Sequence, residues 1–267
     1  MPPLQPAASP PLPVADLAGA ERGPAQPGVV LVGVGPGDPE LLTVAAVRAI
    51  AAATLVAYPV ARPEAEGMAA RIAAPWIRAD QRRLPLVFPM VSEADPRRAA
   101  WHAAADALAS AAAAGEVVVL LCEGDASLYA SASYALLALL ERHPGCPVRV
   151  IPGITAVAAT AAAGRWPLAL QQDALLIRPT PETPEVFEAL LAQARREDTV
   201  LALLKLGHRW SWVRPLLEAA GLLDAALFGQ RVGWPDQLLA PAAAVPADEQ
   251  PYFSLLLIRQ CWPKVLP

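Results

Sequence analysis

The sequence is poor in the residues that build disulfide frameworks and metal sites. It has three cysteines and three histidines in 267 residues. The cysteines, Cys122, Cys146 and Cys261, form no CxxC pair, and the histidines, His102, His143 and His208, are scattered along the chain. A zinc site would have to be assembled from isolated residues, so we predict no metal. Unpaired cysteines suit a reducing compartment, which favours the cytoplasm.

Charge and long apolar runs are also scarce. Charged residues make up 17% of the chain and the net charge is −4, whereas nucleic-acid-binding proteins usually carry a basic face. The composition is 55% hydrophobic, yet the longest apolar-to-small stretches, such as 134–140 and 154–164, are well short of the roughly 20 residues that span a bilayer. We therefore predict neither a nucleic-acid partner nor a membrane segment.

The first 27 residues are rich in proline and alanine and show neither a strand nor a helix period. Pro10, Pro11 and Pro13 interrupt the compact apolar run that a signal peptide needs, and Asp16 and Glu21 follow them. We expect residues 1–27 to be a disordered tail.

From residue 28 onward, short apolar runs alternate with alanine-rich helical stretches. Strands are predicted at 28–34, 54–58, 117–122, 148–151, 174–177, 199–204 and 252–258, and helices at 38–53, 96–114, after 155, at 183–195 and at 212–220. Apolar strands separated by helices indicate mainly parallel sheets that are covered on both faces. We predict the α/β class with two α/β/α lobes, 28–168 and 169–267, because the pattern restarts after a break near 164–172.

Three glycines follow the first predicted strand in the loop Gly33-Val34-Gly35-Pro36-Gly37-Asp38. The loop superficially resembles the dinucleotide motif GxGxxG, but the third glycine position is Asp38, whose carboxylate would compete with a phosphate for helix-end amides. Pro36 removes a further amide donor. Asp38 is better explained as a helix cap followed by Pro39, and the glycines still let a ligand approach the backbone closely.

Loops with polar residues that could bind a ligand also follow later strands. Glu123, Gly124 and Asp125 come directly after a buried strand, where open α/β sheets bind ligands, and their carboxylates suit hydroxyls or a cationic sulfonium. A turn with a helix cap at Asp125 is the alternative, and a glycosidase carboxylate pair has no other support. Thr155 is placed to cap a helix. Lys205 follows a second-lobe strand and either meets a carboxylate or is solvated.

Taken in order, these segments resemble the tetrapyrrole methylases. The resemblance is carried by Val32 to Asp38 with Leu41-Leu42-Thr43, Tyr58-Pro59, Glu123-Gly124-Asp125, Pro152-Gly153-Ile154-Thr155-Ala156 and Lys205-Leu206-Gly207. Within the family, the chain is most similar to the enzymes that methylate precorrin-2 at C20. The pointers are residues 121–125, the turn at 205–207 and the late segment 252–256.

The resemblance implies two lobes with S-adenosylmethionine (SAM) folded into the cleft between them, and usually a homodimer. By matching positions, the residues that would bind SAM are Pro36, Glu123, Gly124, Asp125, Leu128, Thr155, Ala156 and Leu206. The substrate would be a tetrapyrrole with many carboxylates, for which arginines are suitable partners. The candidates near it are Tyr58, Arg62, Arg165 and Arg178.

The expected reaction is direct attack of a macrocycle carbon on the SAM methyl group, which needs orientation and exclusion of water but no protein nucleophile. A base must take the final proton, and no residue is assigned to it. Three alternatives stay open: methylation of another precorrin ring position, a SAM- or tetrapyrrole-binding paralogue without activity, and a nicotinamide oxidoreductase, against which Asp38 argues. The paralogue is motivated by Ala126-Ser127 and Arg165-Trp166, which depart from the usual family pattern.

Overall fold

The structure, a computed structural model, describes residues 26–91 and 93–262. The predicted tail, residues 1–27, falls almost entirely outside this part of the chain. The described residues form two five-stranded sheets, the first built from residues before 152 and the second from residues after 173. Within the described ranges, no helix combines the length and apolar character that crossing a bilayer requires.

The first sheet is entirely parallel, with the strand order β3-β2-β4-β1-β5. Its strands are β1 (Gly28–Gly33), β2 (Leu55–Val60), β3 (Arg82–Val87), β4 (Val117–Cys122) and β5 (Val148–Ile151). The associated helices are α1 (Val44–Ala52), α2 (Met68–Ile72), α3 (Ala94–Ala113) and α4 (Ser131–Arg142). Helices cover both faces, which is why the central strands β1 and β4 are continuous apolar runs.

The second sheet is mixed, with the order β6-β7-β10-β8-β9. Its strands are β6 (Ala174–Pro179), β7 (Thr199–Leu204), β8 (Ala226–Gln230), β9 (Leu238–Pro241) and β10 (Ser254–Ile258), and its helices include α6 (Pro184–Glu197) and α7 (Trp210–Ala219). Only β6 and β7 pair in parallel, whereas β10, β8 and β9 are antiparallel to their neighbours. The predicted class, α/β in two lobes, is confirmed, and the parallel pattern holds throughout the first sheet.

Two local predictions differ from the structure near the first loop. The helix expected from Asp38 is divided into a 3-10 turn, Pro39–Leu41, and helix α1, because Leu42 between them is extended. Asp38 caps the turn by accepting a hydrogen bond from the Glu40 amide at 2.8 Å, and Thr43 caps α1. Strand β2 continues through Pro59, since its pairing with β4 has already ended at Ala57 and no bond to that strand is lost.

Helix α5 (Ala156–Ala163) follows the last strand of the first sheet but packs on the second. Its buried Val157 and Ala161 share an apolar cluster with Ala202 of β7 and Leu257 of β10. The chain between α5 and β6 is then held by Arg259, which donates to Asp173 at 2.7 Å. Helix α5 therefore joins the two lobes, and the exact boundary at residue 168 stays a prediction.

Candidate active site

The loops that follow β1, β4 and β5 lie side by side, because these three parallel strands are adjacent and their carboxyl ends meet at one edge of the sheet. The first two loops are joined by backbone hydrogen bonds. The Gly35 amide donates to the Gly124 carbonyl at 3.1 Å, and the Gly124 amide donates to the Gly35 carbonyl at 2.7 Å. Both glycines have positive φ angles, 77° and 66°, which a residue with a side chain rarely adopts.

The third loop packs backbone against backbone on the other two. A β-carbon added to Gly33 would lie 2.6 Å from the Gly153 nitrogen and 2.7 Å from the Gly124 oxygen. One added to Gly153 would lie closer still to the Gly124 oxygen. Glycine is therefore required at both positions for the three loops to converge.

Asp125 connects the second loop to the third. One carboxylate oxygen accepts a hydrogen bond from the Gly153 amide at 2.8 Å, and the other accepts from the Ser127 amide at 2.8 Å and from the Ser127 hydroxyl. Burial acts to raise the pKa of Asp125, but the bonds from Ser127 and Gly153 outweigh it and lower the pKa. Asp125 thus remains charged while it fixes the loop geometry.

The converging loops form one wall of a hollow between the lobes, with about 920 Å³ of empty space that is partly open to solvent. The opposite wall comes from the ends of β7, β8 and β10. The lining residues of the first lobe and α5 are Pro36, Met68, Glu123, Gly124, Asp125, Leu128, Tyr129, Thr155, Ala156 and Val157. Those of the second lobe are Leu204, Lys205, Gly229, Arg231, Val232, Trp234 and Tyr252 to Leu255. A mostly apolar hollow with a few converging polar groups is typical of a small-molecule site.

Glu123 is the half-buried carboxyl group of the first-lobe wall. Burial raises its pKa, and the backbone amides of Glu123 and Ala69 partly oppose the shift. The neighbouring Cys122 is buried, and its thiol pKa is raised by burial and by the acidic side chains of Glu123 and Asp125. Cys122 therefore stays a thiol and is unsuited to act as a nucleophile.

The serine and threonine hydroxyl groups on the wall are already engaged in hydrogen bonds. Thr155 caps α5 by accepting a hydrogen bond from the Ala158 amide at 3.1 Å. Ser254 donates to the Pro251 carbonyl at 2.6 Å and accepts from the Gly207 amide. The lining residues include no histidine and no cysteine, and the described ranges contain no group of three potential metal ligands. This arrangement can bind and orient two reactants, but it offers no activated protein nucleophile.

The structure places seven of the eight residues predicted to bind SAM on the wall of this one hollow. They are Pro36, Glu123, Gly124, Asp125, Leu128, Thr155 and Ala156. Leu206, the eighth, is fully buried in the apolar core of the second lobe, and its neighbours Leu204 and Lys205 line the hollow instead.

The four predicted substrate residues do not line the hollow. Tyr58 packs against Gly67, where an added β-carbon would lie 2.3 Å from its ring. Arg62 and Arg165 are exposed, and Arg178 is half-buried with its Nε 3.4 Å from the Pro179 carbonyl. Their assignment to the substrate stays a prediction.

The departures from the family pattern have structural roles. Ser127 supplies two of the hydrogen bonds to Asp125, and Ala126 is 2% exposed in the core. Trp166 packs edge-on against Trp262, with ring centres 5.3 Å apart. Neither pair of residues obstructs the hollow.

Sequence reasoning missed most of the second-lobe wall. Trp234 lies in the segment between β8 and β9, and its Nε1 donates to the Pro36 carbonyl at 2.9 Å. The indole also packs against Gly37, where a β-carbon would lie 2.5 Å from the ring. No local signal marks this residue, because its partner is 198 positions away in the sequence.

Comparison with known proteins identifies relatives that match most of the chain. The sequence model of the family of tetrapyrrole (corrin/porphyrin) methylases matches residues 28–244. A precorrin-2 C(20)-methyltransferase from Sinorhizobium sp is 34% identical over 235 residues, which cover 85% of this chain and 93% of that protein. A cobalt-precorrin-2 C(20)-methyltransferase from Salmonella typhimurium is 30% identical over 232 residues, with coverage of 85% and 94%.

The fold is shared with solved structures as well. The crystal structure of the methyltransferase CobJ superposes with a TM-score of 0.61 at 27% sequence identity. The match covers 87% of this chain and 93% of that one, so both lobes are included.

Proposed function

The chain belongs to the tetrapyrrole (corrin/porphyrin) methylases, and on that premise we propose that it transfers a methyl group from SAM to C20 of precorrin-2 or cobalt-precorrin-2 in cobalamin biosynthesis. The support for the substrate is the similarity to two named C20-methyltransferases over 85% of the chain. The observation that carries the proposal is the convergence of three glycine loops on one hollow that the two lobes share.

The residues of the hollow fit a sulfonium nucleoside. Glycine backbones at Gly124 and neighbouring positions permit close approach, and Leu128 and Ala156 provide apolar surface. Glu123 offers carboxylate oxygens to hydroxyl or ammonium groups, and its negative charge is compatible with a cationic donor. The lining residues of the first-lobe wall include no lysine and no arginine.

When bound, SAM would supply a methyl group on a positively charged sulfur, and the carbon–sulfur bond would break as the new carbon–carbon bond forms, so that sulfur leaves as a neutral thioether. The hollow contributes orientation and exclusion of water, which supply several kcal/mol without covalent catalysis. Asp125 keeps the second and third loops together and so preserves the shape of this wall. One proton leaves the methylated carbon at the end, and no residue is assigned as its acceptor.

We also propose a homodimer that acts in the cytoplasm. Resemblance to the family supports the dimer, and three unpaired cysteines suit a reducing compartment. Size-exclusion chromatography with light scattering of the purified chain tests the dimer, and a monomer across the micromolar range contradicts it.

The test of function is incubation of the full chain with methyl-labelled SAM and precorrin-2, followed by mass spectrometry and NMR of the product. We expect one added methyl group at C20, and no product when S-adenosylhomocysteine replaces SAM. A label at another carbon would identify a different ring specificity. Binding of S-adenosylhomocysteine without any methylated product would favour the inactive paralogue.

A further inference from the structure

The hollow is electrically divided between its two walls. Its carboxyl groups, Glu123 and Asp125, belong to the first lobe and lie beside the glycine loops. Its cations, Lys205 and Arg231, belong to the second lobe and follow β7 and β8. A cationic donor therefore suits the first wall, and an anionic ligand suits the second.

Lys205 and Arg231 are held in an unfavourable backbone conformation. Their φ angles are 57° and 46°, in the left-handed region that residues with side chains rarely occupy. The Lys205 carbonyl accepts a hydrogen bond from Arg209 at 3.2 Å, and the Arg231 amide donates to the Phe253 carbonyl at 2.9 Å. Such backbone strain concentrates at ligand sites, where surrounding contacts enforce it.

Both cations retain capacity to bind a ligand. Within the described residues, Lys205 has no acidic partner, and its Nζ lies 5.9 Å from the centre of the Tyr129 ring. Arg231 donates from Nε to Asp236 at 2.8 Å, and no described side chain or carbonyl accepts from its two terminal amino groups. A half-buried ammonium and an oriented guanidinium are suitable carboxylate donors.

Aromatic surface accompanies the two cations. Tyr129, Tyr252 and Phe253 line the hollow yet are 47%, 46% and 47% exposed. Tyr252 and Phe253 pack edge-to-face with ring centres 5.3 Å apart. Exposed aromatic side chains inside a cleft indicate a ligand with an apolar face. The second wall, together with Tyr129 of the first wall, thus combines surface for a flat ring with donors for carboxylates.

We propose that Lys205 and Arg231 bind carboxylate groups of the tetrapyrrole, with Tyr129, Tyr252 and Phe253 against its ring. This assignment rests on the proposed function, and it moves substrate recognition from the four residues outside the hollow to the second-lobe wall and Tyr129 of the first. SAM carries a carboxylate too, so the carboxylate that the two cations bind could belong to either ligand. The position of Glu123 and Asp125 on the opposite wall favours the macrocycle.

The test compares Lys205→Met, Lys205→Arg and Arg231→Met with Arg195→Met, which removes an exposed charge from α6 and serves as the control. Binding of uroporphyrin III, a polycarboxylate tetrapyrrole, is measured by tryptophan fluorescence, and binding of S-adenosylhomocysteine by calorimetry. We expect the Kd of uroporphyrin III to rise about 10- to 100-fold in both Met variants, with recovery in Lys205→Arg. The Kd of S-adenosylhomocysteine should stay within about twofold of wild type. Circular dichroism establishes that each variant is folded.

Unchanged uroporphyrin III binding in folded Lys205→Met and Arg231→Met overturns the proposal. A rise confined to the Kd of S-adenosylhomocysteine also overturns it and assigns the cations to the methyl donor. Failure of the proposed function is distinguishable, since it would appear as absence of methyl transfer by the wild-type chain while uroporphyrin III binding still depended on Lys205. In an active enzyme, the KM for precorrin-2 should rise in Lys205→Met, with a smaller change in kcat.

Discussion

Two acidic side chains in this site have different roles, although their residue types are similar. Glu123 and Asp125 are two positions apart, yet burial raises the pKa of the first while hydrogen bonds lower that of the second. Asp125 is occupied by Ser127 and Gly153, so its main contribution is to loop geometry. Glu123 faces the hollow and keeps more of its acceptor capacity for a ligand.

Glu123→Gln should exchange ligand affinity for stability. Burial raises the pKa of Glu123 in the folded state above its value in the unfolded state. The contribution of this carboxyl group to the stability of the fold is therefore present at low pH and is lost as pH rises through the folded pKa. The glutamine variant should therefore have the higher Tm at neutral pH, and the difference should close on acidification. Its Kd for S-adenosylhomocysteine should rise by about tenfold. Thermal unfolding across pH and calorimetry measure both, and a lower Tm at neutral pH would contradict the account.

Asp125→Asn should show the opposite pH dependence. The lowered folded pKa of Asp125 gives stability that is present above the unfolded pKa and is lost as pH falls through the folded pKa. We expect urea titrations to show a loss of about 1–3 kcal/mol at neutral pH, and this loss should shrink as pH falls through the lowered pKa of Asp125. Asp248→Asn is the control, because Asp248 is exposed and its carboxylate accepts no hydrogen bond from a described residue. A loss of stability that did not change with pH would argue against the role of a charged Asp125 in holding the loops together.

At the scale of elements, the loops after β1, β4 and β5 act as one unit. Their contacts are backbone to backbone, so a single methyl group is enough to separate them. The sequence predicts these strands and the glycine loops after them well, since apolar runs that end in glycine are local signals. It fails for β3, β8 and β9, in which Pro85, Gly229 and Pro241 weaken the strand pattern. In β3 and β9 exposed and half-exposed residues dilute the apolar pattern further.

Gly33→Ala tests whether the close packing of the three loops is needed for stability and ligand binding. The added methyl group would meet backbone atoms of Gly153 and Gly124 at 2.6 and 2.7 Å, and backbone cannot swing aside as a side chain can. We expect about 1–3 kcal/mol of lost stability and weakened binding of S-adenosylhomocysteine. Gly145→Ala is the matched control, because no atom lies within 4 Å of its added β-carbon. Equal ligand affinity in the two variants would show that close approach of the loops is not needed.

At the scale of the whole molecule, the site exists only because the lobes are held together. Trp234 of the second lobe donates to Pro36, and Tyr129 of the first donates to the Ile177 carbonyl at 3.0 Å. Sequence patterns predicted two lobes, and the family resemblance pointed to seven residues that line the first wall. They could not supply the second wall, because contacts such as Trp234 with Pro36 depend on the packing of one lobe against the other.

Trp234→Ala should weaken this coupling. Truncation of a nearly buried indole, 8% exposed, costs about 3–5 kcal/mol and removes the hydrogen bond to Pro36. We expect scanning calorimetry to show a broadened or divided unfolding transition in place of a single one. Trp76→Ala is the control, since the Trp76 indole donates to the Pro39 carbonyl within its own lobe. A sharp single transition in Trp234→Ala would contradict this role.

The central claim, that the converging glycine loops form the seat of the methyl donor, is tested most directly by a crystal structure of the chain with S-adenosylhomocysteine. The account predicts the ligand in the hollow between the lobes, in contact with Pro36, Glu123, Gly124 and Ala156. Ligand bound elsewhere on the molecule, or a hollow that stays empty at saturating concentration, would contradict it.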